Sequence, residues 1–182
     1  EAAVPATQNA RSSSPATAAI PSGKYLKWPL ALFDAGTARL NAHGTYGQVN
    51  RYSLHMIRYW FAACTVHEMR DRVSNEMVVL DMGMGRGHSR RFCPDTPDTR
   101  WIGMDYNAGR VEELKSVYDE TQCLNFDNPL PLADASVDVV VFLHVIEHLL
   151  NPDFALAEIA RILKPGGVLA GASPVYPAFY AP

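Results

Sequence analysis

Three glycines at alternate positions, Gly83, Gly85 and Gly87, follow Asp81 and the apolar residues 78–80. The apolar run is typical of a buried strand. Glycine permits positive φ angles and has no Cβ, so backbone N–H groups in such a turn can approach a ligand closely. We therefore expect this turn to hold a nucleoside cofactor at the end of a strand.

The spacing of these glycines separates two classes of cofactor. Dinucleotide-binding folds carry the pattern G-x-G-x-x-G, which would place a third glycine at position 88. That position is His88, and counting from Gly85 fails as well. An NAD-linked oxidoreductase is therefore disfavoured, and the pattern that stands here is D-x-G-x-G-x-G.

A second carboxylate, Asp105, ends another short apolar run 24 residues after Asp81. An acid at the tip of the neighbouring strand can accept hydrogen bonds from both hydroxyls of a ribose. The alternative is that Asp105 and Asn107 only cap a helix that the sequence predicts over residues 108–118. The spacing favours the ribose role.

The glycine turn and the acid that follows it resemble the cofactor-binding motifs of the class I S-adenosylmethionine-dependent methyltransferases. The resemblance implies that the turn passes the methionine part of S-adenosyl-L-methionine and that Asp81 helps to position that part. It also implies that Asp105 binds the ribose, with Met104 and Tyr106 beside the adenine. The cofactor-binding residues implied in this way are Asp81, Gly83, Met84, Gly85, Gly87, Asp105, Tyr106, Phe126, Asp127 and Leu143.

A third passage, residues 125–138, looks like the acid, Leu-Pro-Phe and Ser-Phe-Asp motif of the same family. Leu132 and Val137 stand where the family has two phenylalanines. The resemblance implies that Asp127 binds the adenine amino group. We expect Asp138 to be structural and to cap the strand that follows it.

The chain beyond that passage predicts a strand, a helix and a second strand. Residues 139–143 are uninterrupted apolar, as expected for a central strand buried on both faces. Residues 153–163 carry apolar side chains at helical spacing. Residues 161–167 are similar to the R-x-L-K-P-G-G turn of the family, in which proline stops the helix and the glycines reverse the chain. A strand over residues 168–172 is expected to follow.

The order of these motifs implies an α/β fold, a Rossmann-like methyltransferase core with helices on both faces of a mainly parallel sheet of order 3-2-1-4-5. The family usually continues with a helix and an antiparallel hairpin. Here the proline-rich residues after 172 make a poor strand, so the final hairpin is expected to be absent. The fifth strand would then be an exposed edge unless a protein partner or a further C-terminal segment covers it.

Residues 144–148 read His-Val-Ile-Glu-His and follow the predicted central strand, at the edge where open α/β sheets place their active sites. The pattern H-x-x-E-H also occurs in inverted zinc proteases, but no third metal ligand is apparent. Some family members carry E-x-x-E-H here and hold a divalent cation, which leaves a metal role open. We favour a site without metal, in which His148 or His144 acts as a general base for the acceptor and Glu147 orients it. The alternative is that His148 is only a packed, hydrogen-bonded residue.

Composition excludes several other functions. The 182 residues suit a single core, and a net charge of −3 gives no general attraction to nucleic acid. No run of eighteen apolar residues could span a membrane. The three cysteines lack C-x-x-C spacing, which favours a reducing compartment over a disulfide framework. We expect a cytoplasmic location, or an organelle matrix if the N-terminus is a processed product.

Three segments are expected along the chain. Residues 1–23 are rich in Ala, Ser, Thr and Pro and form a disordered low-complexity segment. Residues 24–76 form a pre-core helical or cap segment, in which His43 and Tyr46 could cover the acceptor pocket. Residues 77–182 form the S-adenosylmethionine-binding core, which is short at its C-terminal end. Within the pre-core segment, residues 52–72 predict a helix. Its apolar face comprises Leu54, Ile57, Phe61, Cys64 and Met69.

The sequence therefore predicts S-adenosylmethionine-dependent methyl transfer to an O-, C- or N-acceptor that is a small molecule. The Asn-Pro-Pro-Tyr and Asp-Pro-Pro-Tyr motifs of enzymes that methylate adenine or glutamine do not follow the fourth strand. No nucleic-acid or membrane partner is expected. The alternative is a catalytically inactive methyltransferase-like domain with a structural or assembly role.

Overall fold

The computed structural model of the protein describes residues 54–93 and 96–174, with side chains from residue 57 onward. The segment over residues 1–23 and most of the pre-core segment, including His43 and Tyr46, lie outside the described residues. The helices are α1 (Leu54–Arg72), α2 (His88–Arg91), α3 (Ala108–Glu113) and α4 (Pro152–Ile162), with a 3₁₀ turn at Ile146–His148. The strands are β1 (Met77–Met82), β2 (Thr99–Asp105), β3 (Glu120–Cys123), β4 (Val137–Leu143) and β5 (Leu163–Ala172).

The described strands form one parallel sheet in the order β3-β2-β1-β4-β5, which confirms the predicted topology. β1 lies at its centre, where Leu80 pairs with Ile102 of β2 and with Val140 of β4. Every residue of β1 is buried, as expected for a strand covered on both faces. Helices α1 and α3 pack on one face, and α4 packs on the other.

Helix α1 contacts the sheet through a face that differs from the predicted one. Phe61, predicted to be buried, is 52% exposed, whereas Trp60 is buried. The small side chains of Ala62, Ala63 and Cys64 are also buried and let the helix lie close to the sheet. The prediction followed the large apolar residues and missed this small-residue contact. No helix in the described part of the chain is long and apolar enough to cross a membrane.

Helix α3 ends at Glu113, earlier than the helix predicted over residues 108–118. The backbone then turns, and its end is fixed to β2 because Asp119 N–H donates to the Trp101 carbonyl (3.0 Å) while the Asp119 carboxylate accepts from Trp101 N–H (2.7 Å). This turn lays Tyr118 against Gly103, where an added Cβ would lie 2.9 Å from Tyr118 Cγ. Tyr118 therefore reaches into the face of the sheet.

Strand β5 begins where the sequence predicted a chain reversal. Leu163 pairs with Val137 directly after α4, and the next pair joins Val168 to Val139, so residues 164–167 form a bulge. The proline and glycines of the R-x-L-K-P-G-G motif are accommodated in this bulge.

Asp138 links three strands at their amino ends. Its Oδ2 accepts from Val78 N–H of β1 at 2.8 Å and from Lys164 Nζ of β5 at 2.7 Å. The carboxylate is buried, so both contacts form in a poorly hydrated environment where charge-assisted hydrogen bonds are strong. This arrangement agrees with the structural role predicted for Asp138.

Candidate functional site

The glycine turn after β1 is fixed to the tip of β2. The N–H groups of Gly83 and Met84 both donate to the Met104 carbonyl, at 2.8 and 3.0 Å. Gly83, Gly85 and Gly87 have φ angles of 87°, 54° and 71°, a region that favours glycine. The sequence needs glycine at these positions because the backbone turns back on itself within a few residues.

The turn also contacts the loop that follows β4. An ideal Cβ built on Gly83 would overlap Cγ2 of Val145, the residue directly after His144. The predicted cofactor turn and the predicted catalytic cluster are therefore neighbours at the carboxyl edge of the sheet, where open α/β sheets bind their ligands.

Asp105 is held at this edge by backbone donors. It is 3% exposed, its Oδ2 accepts from Gly85 N–H at 2.9 Å, and its Oδ1 accepts from Asn107 N–H at 2.9 Å. Each carboxylate oxygen has two lone pairs, so each can accept one further hydrogen bond. The helix cap is a different residue, Asn107, whose side chain accepts from Arg110 N–H at 3.2 Å. Asp105 thus retains acceptor capacity for a diol, and its capping alternative is filled by Asn107.

Asp81 lies beneath the turn and is 2% exposed. Its Oδ2 accepts from the Tyr118 hydroxyl at 2.6 Å, a contact that the sequence did not indicate. Burial raises the pKa of Asp81 from its ordinary value to about 6, while hydrogen bonds from Tyr118 and Ser89 oppose the rise and the charge of Asp105 adds to it. The residue therefore titrates closer to neutral pH than an exposed aspartate does.

The remaining predicted cofactor residues lie around the same edge with different exposures. Phe126 and Met84 are buried, Leu143 is partly buried, and Tyr106 is 72% exposed. Asp127 Oδ1 accepts from the N–H groups of Leu150 and Asn151, at 3.1 and 2.9 Å. These bonds fix the loop before α4 to the loop after β3.

His144 occupies the tip of β4 in a backbone conformation with φ of 56°, which is uncommon for a residue other than glycine. Its N–H donates to the Ala172 carbonyl at 2.7 Å, which joins it to the end of β5. Its ring nitrogens Nδ1 and Nε2 lie 3.2 and 3.3 Å from Arg58 Nη1 of α1. Nothing in the sequence indicated Arg58, because the contact spans 86 positions.

The other two predicted catalytic residues flank His144. Glu147 Oε1 lies 3.9 Å from His144 Nδ1, and Glu147 Oε2 lies 3.4 Å from Ser173 Oγ. His148 is exposed, and its backbone N–H donates to the Val145 carbonyl within the 3₁₀ turn. Because the helical turn begins only at Ile146, His144 and His148 do not share a helix face as the zinc-protease pattern requires. Among the described residues, no group of three or more His, Cys, Asp or Glu side chains could hold a metal ion.

The surroundings of His144 favour its neutral form. Burial lowers the pKa of His144, and the nearby Arg58 guanidinium lowers it further. Glu147 acts in the opposite direction, and His148 adds a small lowering effect. A neutral imidazole can accept a proton, so the arrangement suits general-base chemistry.

Comparisons with known proteins agree with this geometry. A family model described as a methyltransferase domain matches residues 80–171. A Mycolicibacterium smegmatis protein named a probable S-adenosylmethionine-dependent methyltransferase is 36% identical over 121 residues, which are 64% of this chain and 46% of that protein. The thiol S-methyltransferase TMT1B of Rattus norvegicus is 34% identical over 53% of this chain and 42% of its own. An O-methyltransferase of Pyrenophora dematioidea is 34% identical over 56% of this chain and 40% of its own. The chain spans less than half the length of each of these relatives.

Solved structures give the same fold. The protein solved in complex with the Haloferax volcanii Trm112 methyltransferase activator matches with a TM-score of 0.50 at 30% identity, over 75% of this chain and 57% of that chain. The CMeT domain of the citrinin polyketide synthase matches with a TM-score of 0.57 at 16% identity, over 78% of this chain and 40% of that chain. The second likeness concerns the fold alone.

Proposed function

Since the chain belongs to the methyltransferase domain family, we propose that it transfers a methyl group from S-adenosyl-L-methionine to a small-molecule acceptor. The observation that carries this proposal is the contact between Gly85 N–H and the Asp105 carboxylate at 2.9 Å. It brings a side-chain-free turn and a carboxylate with unused lone pairs to one edge of the sheet. Thiol S- and O-acceptors come first because relatives carry those names. C- and N-acceptors remain within the proposal.

The residues of this edge fit the cofactor of the family. Positive φ angles at Gly83, Gly85 and Gly87 leave the turn without side chains that would fill the cleft. Asp105 would accept from the two ribose hydroxyls, and Asp127, Tyr106 and Phe126 would surround the adenine. When bound, the cofactor supplies a methyl group on a sulfonium, which is already activated for transfer.

The protein's own contribution is to position the reactants and to receive a proton. Alignment of two bound reactants can contribute about 7–11 kcal/mol to the lowering of a barrier. For a thiol or hydroxyl acceptor, a general base adds about 10²–10⁴-fold in rate. His144 is better placed for this role than His148, because it lies at the strand tip next to Val145 and the glycine turn. Glu147 would stabilise the imidazolium that forms.

The alternative of an inactive scaffold gains no support from these relatives, which carry the names of enzymes. Strand β5 is nevertheless an edge of the described sheet, and Leu169 on it is 40% exposed. We infer that a protein partner or a further segment of chain pairs with this edge. Such pairing is compatible with catalysis, because it would lie along the side of the sheet rather than at its carboxyl ends.

A reducing compartment, either the cytoplasm or an organelle matrix, is part of the same proposal. No disulfide joins the cysteines of the described residues. Burial raises the pKa of the Cys64 and Cys93 thiols, which makes both poor nucleophiles. Intact thiols of this kind persist where glutathione and thioredoxin keep proteins reduced.

Calorimetry with S-adenosylmethionine and S-adenosylhomocysteine tests the cofactor assignment. We expect binding by the wild-type chain, a loss of at least about tenfold in Asp105→Ala, and little change in His148→Ala, whose side chain is exposed. Transfer of a labelled methyl group to panels of thiols, phenols and amines then tests the acceptor class. A folded wild-type chain that binds neither cofactor form would overturn the proposal.

A further inference from the structure

Helix α1 precedes the part of the chain that matches the family model, yet it contributes a side chain to the carboxyl edge of the sheet. Arg58 Nη1 lies 3.2 Å from Nδ1 and 3.3 Å from Nε2 of His144. Its other terminal nitrogen donates to the Tyr59 hydroxyl at 3.0 Å, and the guanidinium carbon lies 4.7 Å from the centroid of the Tyr59 ring. These contacts hold the guanidinium in one orientation beside the imidazole.

The chemistry of the pair restricts the state of the histidine. A guanidinium has only donors and remains charged at every accessible pH. An imidazolium also has only donors, so it could not accept a hydrogen bond from Arg58. The observed contact therefore requires an imidazole with a free lone pair, which is the neutral ring. Because Nη1 is almost equally far from both ring nitrogens, the contact selects the neutral ring without occupying one nitrogen alone.

We propose that Arg58 is a positioning residue that keeps the His144 imidazole neutral and oriented, so that His144 accepts the proton of an acceptor S–H or O–H group during methyl transfer. This inference rests on the proposed function and narrows its substrate class. The acceptor would be a thiol, phenol or alcohol that must lose a proton, rather than a tertiary amine that has none to lose.

The step balances within the groups named. A lone pair of the acceptor heteroatom forms the bond to the methyl carbon, and the carbon–sulfur bond breaks with its electrons left on sulfur. The proton of the heteroatom moves to a ring nitrogen of His144. The imidazolium is transiently stabilised by Glu147 and then releases its proton to water, to which the ring has access because its side chain is 34% exposed.

The charged groups that face His144 come from two elements. Arg58 on α1 opposes protonation, Glu147 in the 3₁₀ turn favours it, and His148 in the same turn opposes it. The end of β5 contributes only Ala172 and Ser173, which do not titrate. Removal of Arg58 should therefore shift the balance toward the protonated ring.

Arg58→Met tests the inference against Arg72→Met as a matched control, since Arg72 lies on the same helix in an exposed ion pair with Glu68. The first measurement is an NMR titration of the histidine Cε1–H resonances, with the His144 signal identified by its absence in His144→Asn. We expect the His144 midpoint to rise by about half a pH unit or more in Arg58→Met and to stay unchanged in Arg72→Met. Arg58→Lys, which keeps the charge, should retain most of the lowering and also covers the case in which the methionine variant fails to fold.

The second measurement is the pH profile of kcat with a thiol acceptor. In Arg58→Met the acid limb should move to higher pH, so that activity is lost at pH 6 and retained at pH 8.5. An unmoved titration midpoint and an unmoved acid limb would overturn the inference. A wild-type chain that binds no S-adenosylmethionine would instead overturn the proposed function, while the NMR titration would still report on the Arg58–His144 pair.

Discussion

Val145 occupies the space that a side chain on Gly83 would need. The loop after β4 and the turn after β1 therefore interlock through an apolar contact, and His144 is fixed next to the cofactor turn by the residue that follows it. A small change at Gly83 would displace both the cofactor turn and the catalytic loop.

Gly83→Ala should weaken both folding and cofactor binding. The φ angle of 87° costs a residue with a Cβ about 1–2 kcal/mol, and the overlap with Val145 adds about 1–3 kcal/mol. Gly166→Ala is a matched control, because Gly166 has a φ angle of 83° and no atom within 4 Å of an added Cβ. We expect urea denaturation to show a larger loss in Gly83→Ala and calorimetry to show weaker S-adenosylhomocysteine binding in that variant alone. Equal losses of stability in the two variants would mean that the Val145 contact contributes nothing.

His144→Gly should separate stability from activity. The φ angle of 56° strains a histidine, and glycine should relieve about 1 kcal/mol of that strain. Removal of the imidazole should lower methyl transfer to a thiol by about 10²–10⁴-fold. Ala135→Gly, at a φ angle of 49° in an exposed loop, should relieve similar strain without a change in activity. Thermal denaturation and initial rates measure the two effects, and normal turnover in His144→Gly would remove the histidine from the mechanism.

Asp81 should make stability depend on pH in a direction opposite to that of most carboxylates. Its pKa is raised from 3.8 to about 6 in the folded protein, so between these values the folded state binds more protons than the unfolded state. Stability from this residue is therefore greatest below pH 3.8, falls as pH rises toward 6, and stays reduced above it. The difference between the two pKa values corresponds to about 3 kcal/mol at most.

Asp81→Asn should accordingly be more stable than the wild type at pH 7.5, by about 1–3 kcal/mol, and the difference should shrink at pH 4.5. Tyr118→Phe serves as the companion variant, because loss of its hydroxyl should raise the pKa of Asp81 further and steepen the dependence. Denaturant titrations at the two pH values measure these differences. A gain in Asp81→Asn that is the same at both pH values would show that charge burial is not the cause.

Arg161 should be far more important for stability than an ordinary surface arginine. It donates to the Leu130 and Leu132 carbonyls at 3.0 and 2.8 Å and forms ion pairs with Glu158 and Asp134, which fixes the loop before β4. Arg161→Met would leave these acceptors without their donor, at a cost of about 2–4 kcal/mol. The control is Arg100→Met, whose exposed pair with Glu120 is worth about 0–1 kcal/mol.

The pH dependence of the Arg161 network has the opposite sign to that of Asp81. Hydrogen bonds from Arg161 lower the pKa of Glu158 from 4.5 to about 2. The network's contribution should therefore be complete above pH 4.5 and should disappear as pH falls toward 2. Arg161→Met and the wild type should then converge in urea stability below pH 3, and a constant difference across that range would contradict this account.

The sheet and its order could be predicted because uninterrupted apolar runs such as residues 139–143 are decisive for buried parallel strands. The position of Asp105 at a strand tip could be predicted for the same reason, since it directly ends such a run. The Tyr118 contact could not, because helical propensity continues past Glu113 and only tertiary packing against Gly103 ends the helix. Arg58 looked like one of several arginines on a helix, and only the fold reveals that it lies beside His144.

Asp138, Val78 and Lys164 tie the sheet together at the end opposite to the glycine turn. The anchorage of the fold and its reactive rim are therefore physically distant from each other. Residues on the rim, such as Glu147 and Ser173, can be exchanged for others without loosening that anchorage. A scaffold divided in this way can acquire new acceptors by drift at one end while the other end keeps the chain folded.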